Sequence, residues 1–271
     1  MEIKFYCPLW GSESLDFKEF CKRAKQAGYD GVELSFPRDE NKKTDMLNTI
    51  RSFDLAHIAQ HWETSDQDFK EHKRHYRQRL ENLVNTSPKF INSQTGKDYF
   101  SFEQNLELIS VADKIANDTG IRIIHETHRG KFSFACHITA AFLNKMPNLR
   151  LNLDISHWCC VAESFLDDQK EAVQLAIFRT DHIHARVGHS QSAQIPDPRA
   201  SEWFEAVEKH ILWWKQVIDR AKTEGKNEFG ITPEFGPYPY MVLQPFTRQP
   251  IVDQWTVNTY MKELLKKELL N

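Results

Sequence analysis

Strand-like and helix-like segments alternate from one end of this chain to the other, and that alternation limits the folds open to it more than any other feature. Runs with strand character lie at 3–7 (IKFYC), 31–36 (GVELSF), 55–62 (LAHIAQHW), 90–94 (FINSQ), 121–128 (IRIIHETH), 149–156 (LRLNLDIS), 181–187 (DHIHARV) and 229–235 (FGITPEF). Amphipathic runs separate them, among them LDFKEFCKRAKQAG, SFEQNLELISVADKIANDTG and SEWFEAVEKHILWWKQVIDRAKTEG, with glycine as a stop signal. Strands that each return through a helix lie parallel. Eight such units in 271 residues match the size of a (β/α)8 TIM barrel, so a single domain of that class is expected over residues 1–271. The rival is an open doubly wound sheet, but no G-x-G-x-x-G follows the first strand.

A strand covered on both faces should read as nearly continuous Val, Ile and Leu. The late strands break that rule in the same way. In RLNLDISHW, Asn152, Asp154 and Ser156 share one face; in IRIIHETH, Glu126 and His128; in DHIHARV, His182, His184 and Arg186; in FGITPEF, Thr232 and Glu234. The other faces carry Ile121, Ile123, Leu151, Leu153, Ile183, Ala185, Ile231 and Phe235. In a barrel the apolar face meets the helices and the polar face points inward, with residues near the C-terminal strand ends lining the mouth. Asp154 then points inward, and Glu126, His184 and Glu234 converge on it. Pro233 has no N–H for a ladder, so the eighth strand is expected to end or bulge there and leave Glu234 at the rim.

Three carboxylates in one dry cavity raise one another's pKa strongly unless something neutralises them. One divalent cation would do so, and two Glu, one Asp and one His form an oxygen and nitrogen set suited to Mn2+, Mg2+, Co2+, Fe2+ or Zn2+. ETHRG at 126–130, the Asp-x-x-His of DISH at 154–157, HIHAR at 182–186 and PEFGP around Glu234 resemble, in that order along the chain, the xylose isomerase-like TIM barrels, the superfamily of sugar isomerases and epimerases. The resemblance implies that Glu126, Asp154, His184 and Glu234 are the metal ligands and that His157 faces substrate. Both histidines of HIH face inward, and the resemblance favours the second as the ligand, leaving His182 to the substrate side. In the ketose-epimerase relatives the two metal-holding glutamates also act as acid and base, roles that fall here to Glu126 and Glu234.

Polyol hydroxyls and the apolar face of a sugar need polar and aromatic partners. His128, Arg186, Trp10, Glu33, His61, Trp62, Asn92 and Gln94 sit near strand ends and are expected to supply them. The stretch RVGHSQSAQIPDPR (186–199) is long for a connection of its type and is expected to fold over the mouth, bringing Arg186, His189 and Arg199 to substrate. The basic run at 70–79 reads as the solvated face of an outer helix, because Phe69, Tyr76, Leu80 and Leu83 recur at helical spacing. Trp213 and Trp214 read as core residues, with a subunit interface, and hence a homo-oligomer, as the alternative.

The expected activity is that of a metal-dependent isomerase or epimerase acting on a ketose, aldose or related polyhydroxy carbonyl compound through an enediolate. A dehydratase or lyase on the same scaffold is the alternative. An apurinic-endonuclease-like phosphodiesterase fits less well, because Asn92 and Gln94 stand where a further histidine ligand is needed and the DPR at 197–199 lacks Asp-x-His. A sugar-binding relative without turnover is a further reading. A formal net charge of −3 gives no basic field for nucleic acid or anionic membrane. Five cysteines without C-x-x-C spacing, an N-terminus with charges among its apolar residues and no long apolar run point to a soluble, cytoplasmic protein.

Overall fold

The structure, a computed structural model, describes residues 1–270. Its eight strands form one closed parallel barrel in sequence order: β1 (Glu2–Pro8), β2 (Gly31–Leu34), β3 (Ala56–His61), β4 (Ile91–Ser93), β5 (Ile123–Glu126), β6 (Leu151–Leu153), β7 (Thr180–His184) and β8 (Glu228–Thr232). The ring closes where β1 pairs with β8, from Glu2 opposite Glu228 to Phe5 opposite Ile231. Around it run α1 (Phe17–Gln26), α2 (Glu40–Ser52), α3 (Phe69–Val84), α4 (Phe102–Thr119), α5 (Cys136–Lys145), α6 (Ser156–Ala162), α7 (Lys170–Phe178), α8 (Phe204–Thr223) and α9 (Gln254–Leu270). No helix among the described residues is long and apolar enough to cross a membrane.

The helices start where short polar side chains can satisfy free N–H groups. Asp16, Asp39 and Asp68 each accept from backbone N–H groups of the first turn they cap, and Ser101 with Gln104 forms a reciprocal capping box. The buried side of α8 includes His210, Trp213, Trp214, Val217 and Ile218. Both tryptophans therefore belong to the core, and the subunit-interface reading of that pair loses its basis. On α3, Tyr76, Leu80 and Leu83 are buried, as their spacing requires.

The inside of the barrel changes character along its axis. Tyr6, Ile58, Phe90 and Ile124 form an apolar plug. Two residues further along the same strands, on the same face, stand Gln60, Asn92 and Glu126. The His182 ring packs against Tyr6 and Phe90 at centroid distances of 5.9 and 5.1 Å. A Cβ at Gly230 would come within 2.6 Å of His182 Nδ1, so that position has room only for glycine.

The late strands are shorter than their patterns suggest. β5 stops at Glu126, β6 at Leu153 and β7 at His184, while β8 ends at Thr232, directly before Pro233. The polar residues beyond these points lie on loops or, for Ser156 and His157, in the first turn of α6.

Candidate metal centre and active site

Glu126 closes β5, His184 closes β7, and Asp154 and Glu234 lie just past β6 and β8. These four buried side chains can each offer a ligand atom, all within 4.8 Å of one another. Local bonds fix the approach of Asp154: its backbone N–H donates to Thr127 Oγ1 at 2.8 Å, and the Ser156 N–H and hydroxyl both donate to its Oδ1.

The orientation of His184 is set from behind. Its Nε2 lies 2.9 Å from Glu33 Oε1, and an ionised carboxylate only accepts, so Nε2 carries the proton. Glu33 also accepts from Asn92 Nδ2 at 2.9 Å and from Thr232 Oγ1 at 2.6 Å. Although burial would raise the Glu33 pKa, the neighbouring His184 and His182 more than offset it and hold this carboxyl well below the usual range. Nδ1 of His184 then faces Glu234 Oε2 at 2.9 Å and Glu126 Oε2 at 3.8 Å, and against the cost of burial Glu234, Glu33 and Glu126 hold the imidazole pKa well above the usual value. A nitrogen and carboxylate oxygens crowded in this way attract positive charge between them, as a proton on Nδ1 or as a cation. Burial foremost, and then the charges of Glu234 and Asp154 against the pull of His184, push the Glu126 carboxyl up to about 8. Burial likewise raises Asp154, although Arg186 opposes it. The residues present therefore fit one divalent cation: a mixed oxygen and nitrogen set, an imidazole held by a carboxylate and an excess of buried acid.

Two further groupings share members with this one: Glu33, His182 and His184, and Glu126, His128 and His157. In the first, Thr232 donates its hydroxyl proton to Glu33, so it accepts from His182 Nε2 at 2.9 Å. Both imidazoles therefore spend Nε2 on the network beneath the cluster.

A cavity of about 420 Å³ opens over Glu126 and Glu234. Trp62, Gln94, His128 and Arg186 line it, as does Trp10. Gln94 donates to Glu126 Oε1 at 3.2 Å. Arg186 is buried, donates through Nη2 to Asp154 Oδ2 and to His157 Nε2, and lies 3.7 Å from Glu234 Oε2. His157 is fully buried behind Arg186 and outside the lining, with its pKa driven well below the usual value by burial first and by His128 and Arg186 next.

Besides His157, four residues expected at the substrate lie elsewhere, and of these Asn92 sits outside the lining and donates to Glu33 and Glu126. Glu33 and His182 do point inward, but each stands one strand repeat, two residues, below the mouth, where it serves the network under His184. His61 faces the helix layer. Its Nδ1 meets Ser93 Oγ at 3.1 Å, its Nε2 meets Thr64 Oγ1 at 2.7 Å, and its ring packs on Tyr76 of α3. Its neighbour Gln60 takes the inward place and donates to Glu234 Oε1 at 3.4 Å. The alternation Ile58, Gln60, Trp62 against Ala59 and His61 carried that signal in the sequence.

The 186–199 segment does not cover the mouth. Beyond Arg186, Val187, Ala193 and Ile195 are buried, Gly188 N–H donates to His210 of α8, and Gln194 bonds Gly236 in both directions. His189 stacks near Trp203, and Arg199 forms a two-bond pair with Asp197. Apolar burial and these local partners pull the loop towards α8. Tyr240, from the segment after β8, lines the mouth instead; its ring meets Trp10 edge-on at 5.2 Å and lies 4.6 Å from the Arg186 guanidinium carbon. Trp10 can approach so closely because position 236 is glycine: a Cβ there would fall 2.1 Å from the indole. The aromatic-rich FGPYPY following Glu234 was the available sign of Tyr240.

No protein-family model and no curated protein matches this sequence. Solved structures do match along essentially the whole chain. D-allulose 3-epimerase from Methylomonas sp., in complex with D-allulose, is 15% identical, with 98% of this chain and 97% of that chain covered and a TM-score of 0.62. The probable 3-DHS dehydratase involved in petrobactin synthesis from Bacillus anthracis is 15% identical over 97% of this chain and 98% of its own, TM-score 0.58. Endonuclease IV from Thermus thermophilus is 13% identical over 100% of this chain and 99% of its own, TM-score 0.59. Three chemistries at similar distances fix the scaffold and not the reaction. The chain has the fold of the xylose isomerase-like TIM barrels, as its motifs suggested.

Proposed function

We propose that this chain is a metal-dependent isomerase or epimerase of a sugar or related polyhydroxy carbonyl compound. The observation that carries the reading is the set Glu126, Asp154, His184 and Glu234, with ligand atoms within 4.8 Å of one another at the floor of a cavity. A divalent cation on these residues supplies, when bound, the positive charge that stabilises negative charge developing on substrate oxygen.

The two glutamates are arranged alike. Each turns Oε2 towards His184 Nδ1 and has Oε1 held by a glutamine amide, Gln94 for Glu126 and Gln60 for Glu234. Oε2 of each would hold the cation, and Oε1 would take or return a proton. One glutamate removes the proton from the carbon next to the carbonyl and the other delivers a proton, to the opposite face in an epimerisation or, in an isomerisation, to the former carbonyl carbon while the hydroxyl proton passes to the former carbonyl oxygen. Arg186 holds Asp154 and reaches the cavity wall, where it can donate to a substrate oxygen. Leu9, Trp10, Leu34 and Tyr240 form the apolar part of that wall and limit water at the reacting carbon. His128, Trp62 and Gln94 are placed to contact substrate, and His157 acts through Arg186. Free cysteines, four of the five buried, accord with work in a reducing compartment such as the cytoplasm.

The phosphodiesterase reading is weaker: Asn92 donates to Glu33 and Glu126, Gln94 donates to Glu126, and Asp197 is tied to Arg199. The similarity to a dehydratase keeps that chemistry as the second reading. Metal analysis of the purified protein, followed by incubation with ketoses and aldoses in D2O, tests the proposal. Stoichiometric metal and deuterium at the carbon beside the carbonyl support it; release of water to give a deoxy or unsaturated product moves the assignment to a dehydratase.

A further inference from the structure

The charges on the cavity wall say what kind of sugar fits. Three carboxylates line it: Glu126 and Glu234, which belong to the cluster fitted to a cation, and Glu13, which does not; the cationic side chains reduce to Arg186. That guanidinium is largely engaged: Nη2 bonds Asp154, Nε bonds Ser156 and Glu234 lies 3.7 Å away, which leaves Nη1 as its one nitrogen without a partner. No lysine among the described residues lines the cavity. Arg129 stays outside the lining and stacks on the Tyr240 ring at 4.9 Å. Glu13, an exposed residue on the β1–α1 loop, accepts from the Gly11 N–H at 2.7 Å and is the lining carboxylate outside the four-residue cluster.

The rest of the lining is neutral. Gln60 and Gln94 each donate an amide N–H to a glutamate and keep a carbonyl oxygen for a hydroxyl donor. Trp10, Trp62 and Tyr240 present aromatic surface, with Trp62 55% exposed at the opening. Aromatic rings and amide carbonyls suit the C–H face and the hydroxyls of a polyol. A phosphate dianion needs cationic donors, preferably a guanidinium fork, and here would meet Glu13 instead.

We infer that the substrate of this site is a neutral, unphosphorylated sugar or polyhydroxy carbonyl compound, and that Glu13 discriminates against anionic esters. The inference rests on the isomerase or epimerase reading for its chemistry, but concerns binding and is tested separately from it.

The experiment compares free ketohexoses and ketopentoses with their terminal phosphate esters on the metal-loaded, full-length protein. Affinity is read by calorimetry and turnover by deuterium incorporation from D2O. The expected result is binding and exchange with a free sugar, and a kcat/KM at least about tenfold lower for its ester. In Glu13→Gln that ratio should narrow by several-fold, mainly through the KM of the ester. An ester that binds as well as or better than the free sugar overturns the inference; if it also exchanges deuterium, the isomerase or epimerase reading stands. A free sugar that binds more tightly than its ester and exchanges nothing upholds the charge selection and overturns the reaction. If neither free sugar nor ester binds, both fall. An unchanged ratio in Glu13→Gln removes Glu13 as the discriminating group.

Discussion

At the N-terminal end of the barrel, Asp181 at the start of β7 accepts two bonds from Arg150, at 2.8 and 3.0 Å, and a further bond from Lys226, with Arg122 3.6 Å away. At the C-terminal end, Glu33, Glu126, Asp154 and Glu234 gather around His184 with Arg186 as the guanidinium among them. The first region gives one acid a surplus of cations; the second gives several acids too few. The electrostatics follow. Burial would raise Asp181, but Arg150 and Lys226 outweigh it and hold the carboxyl at about 2, whereas burial pushes Glu126 up to about 8. A charge with cations to spare at the closed end knits strands together, while acids that outnumber their cations at the open end cost stability and create a place for a cation and a proton.

The largest expected effect breaks the open end. Glu126→Gln and Glu234→Gln should each lower solvent proton exchange by about 10²–10⁴-fold while leaving the fold intact by circular dichroism, because each removes a base and keeps the side-chain volume. A variant with full exchange would assign the proton to another group.

Glu33→Ala probes the layer that holds the open end together. It leaves His184 Nε2, Asn92 and Thr232 without their common acceptor. Affinity for the metal should fall by about 10–100-fold, measured by competition with a chelating indicator, since a carboxylate behind a ligating imidazole fixes its tautomer and orientation. Unchanged affinity would show that the contact is incidental.

The smallest effect sharpens the closed end. Asp181→Asn should cost on the order of 2 kcal/mol at pH 7, from a carboxyl held at about 2 against an ordinary 3.8, and should leave exchange activity unchanged. The folded value is the depressed one, so this stability is fully present above about pH 4 and is lost as pH falls towards 2. Urea unfolding of both proteins across that range should show the gap closing on acidification; a gap independent of pH would mean that packing, not charge, is lost.

Much of this molecule is legible in its sequence, for reasons that separate by length scale. Alternation of strand and helix patterns is a local signal repeated eight times, and parallel strands joined by helices have few ways to close, so the barrel followed from it. The inward faces were legible too, because side chains in a strand alternate with a period of two: Glu126, His184, Asp154 and Glu234 could be placed on one side before any contact was known. The structure brings those four together.

Depth along the strand, however, is not written in that alternation. Glu33 and His182 share the inward face with residues of the mouth, and only the register of neighbouring strands puts them one repeat lower, against Thr232 and His184. The chemistry of His61 suggests a site residue while its parity in the strand points it outward; parity wins, and Tyr76 and Thr64 show what the ring serves. Loop paths were the least legible. The 186–199 segment carries Arg, His and Pro suited to a lid, but buried Val187, Ala193 and Ile195 draw it towards α8, and Tyr240 from a distant stretch takes the place at the mouth. The sequence by itself determined the architecture and the set of side chains facing the barrel interior, because local periodicity dictates both. Which of those side chains meet one another, at what height and beside which charges, was decided by the tertiary structure, because these are contacts between residues as far apart in the chain as Glu33 and Thr232.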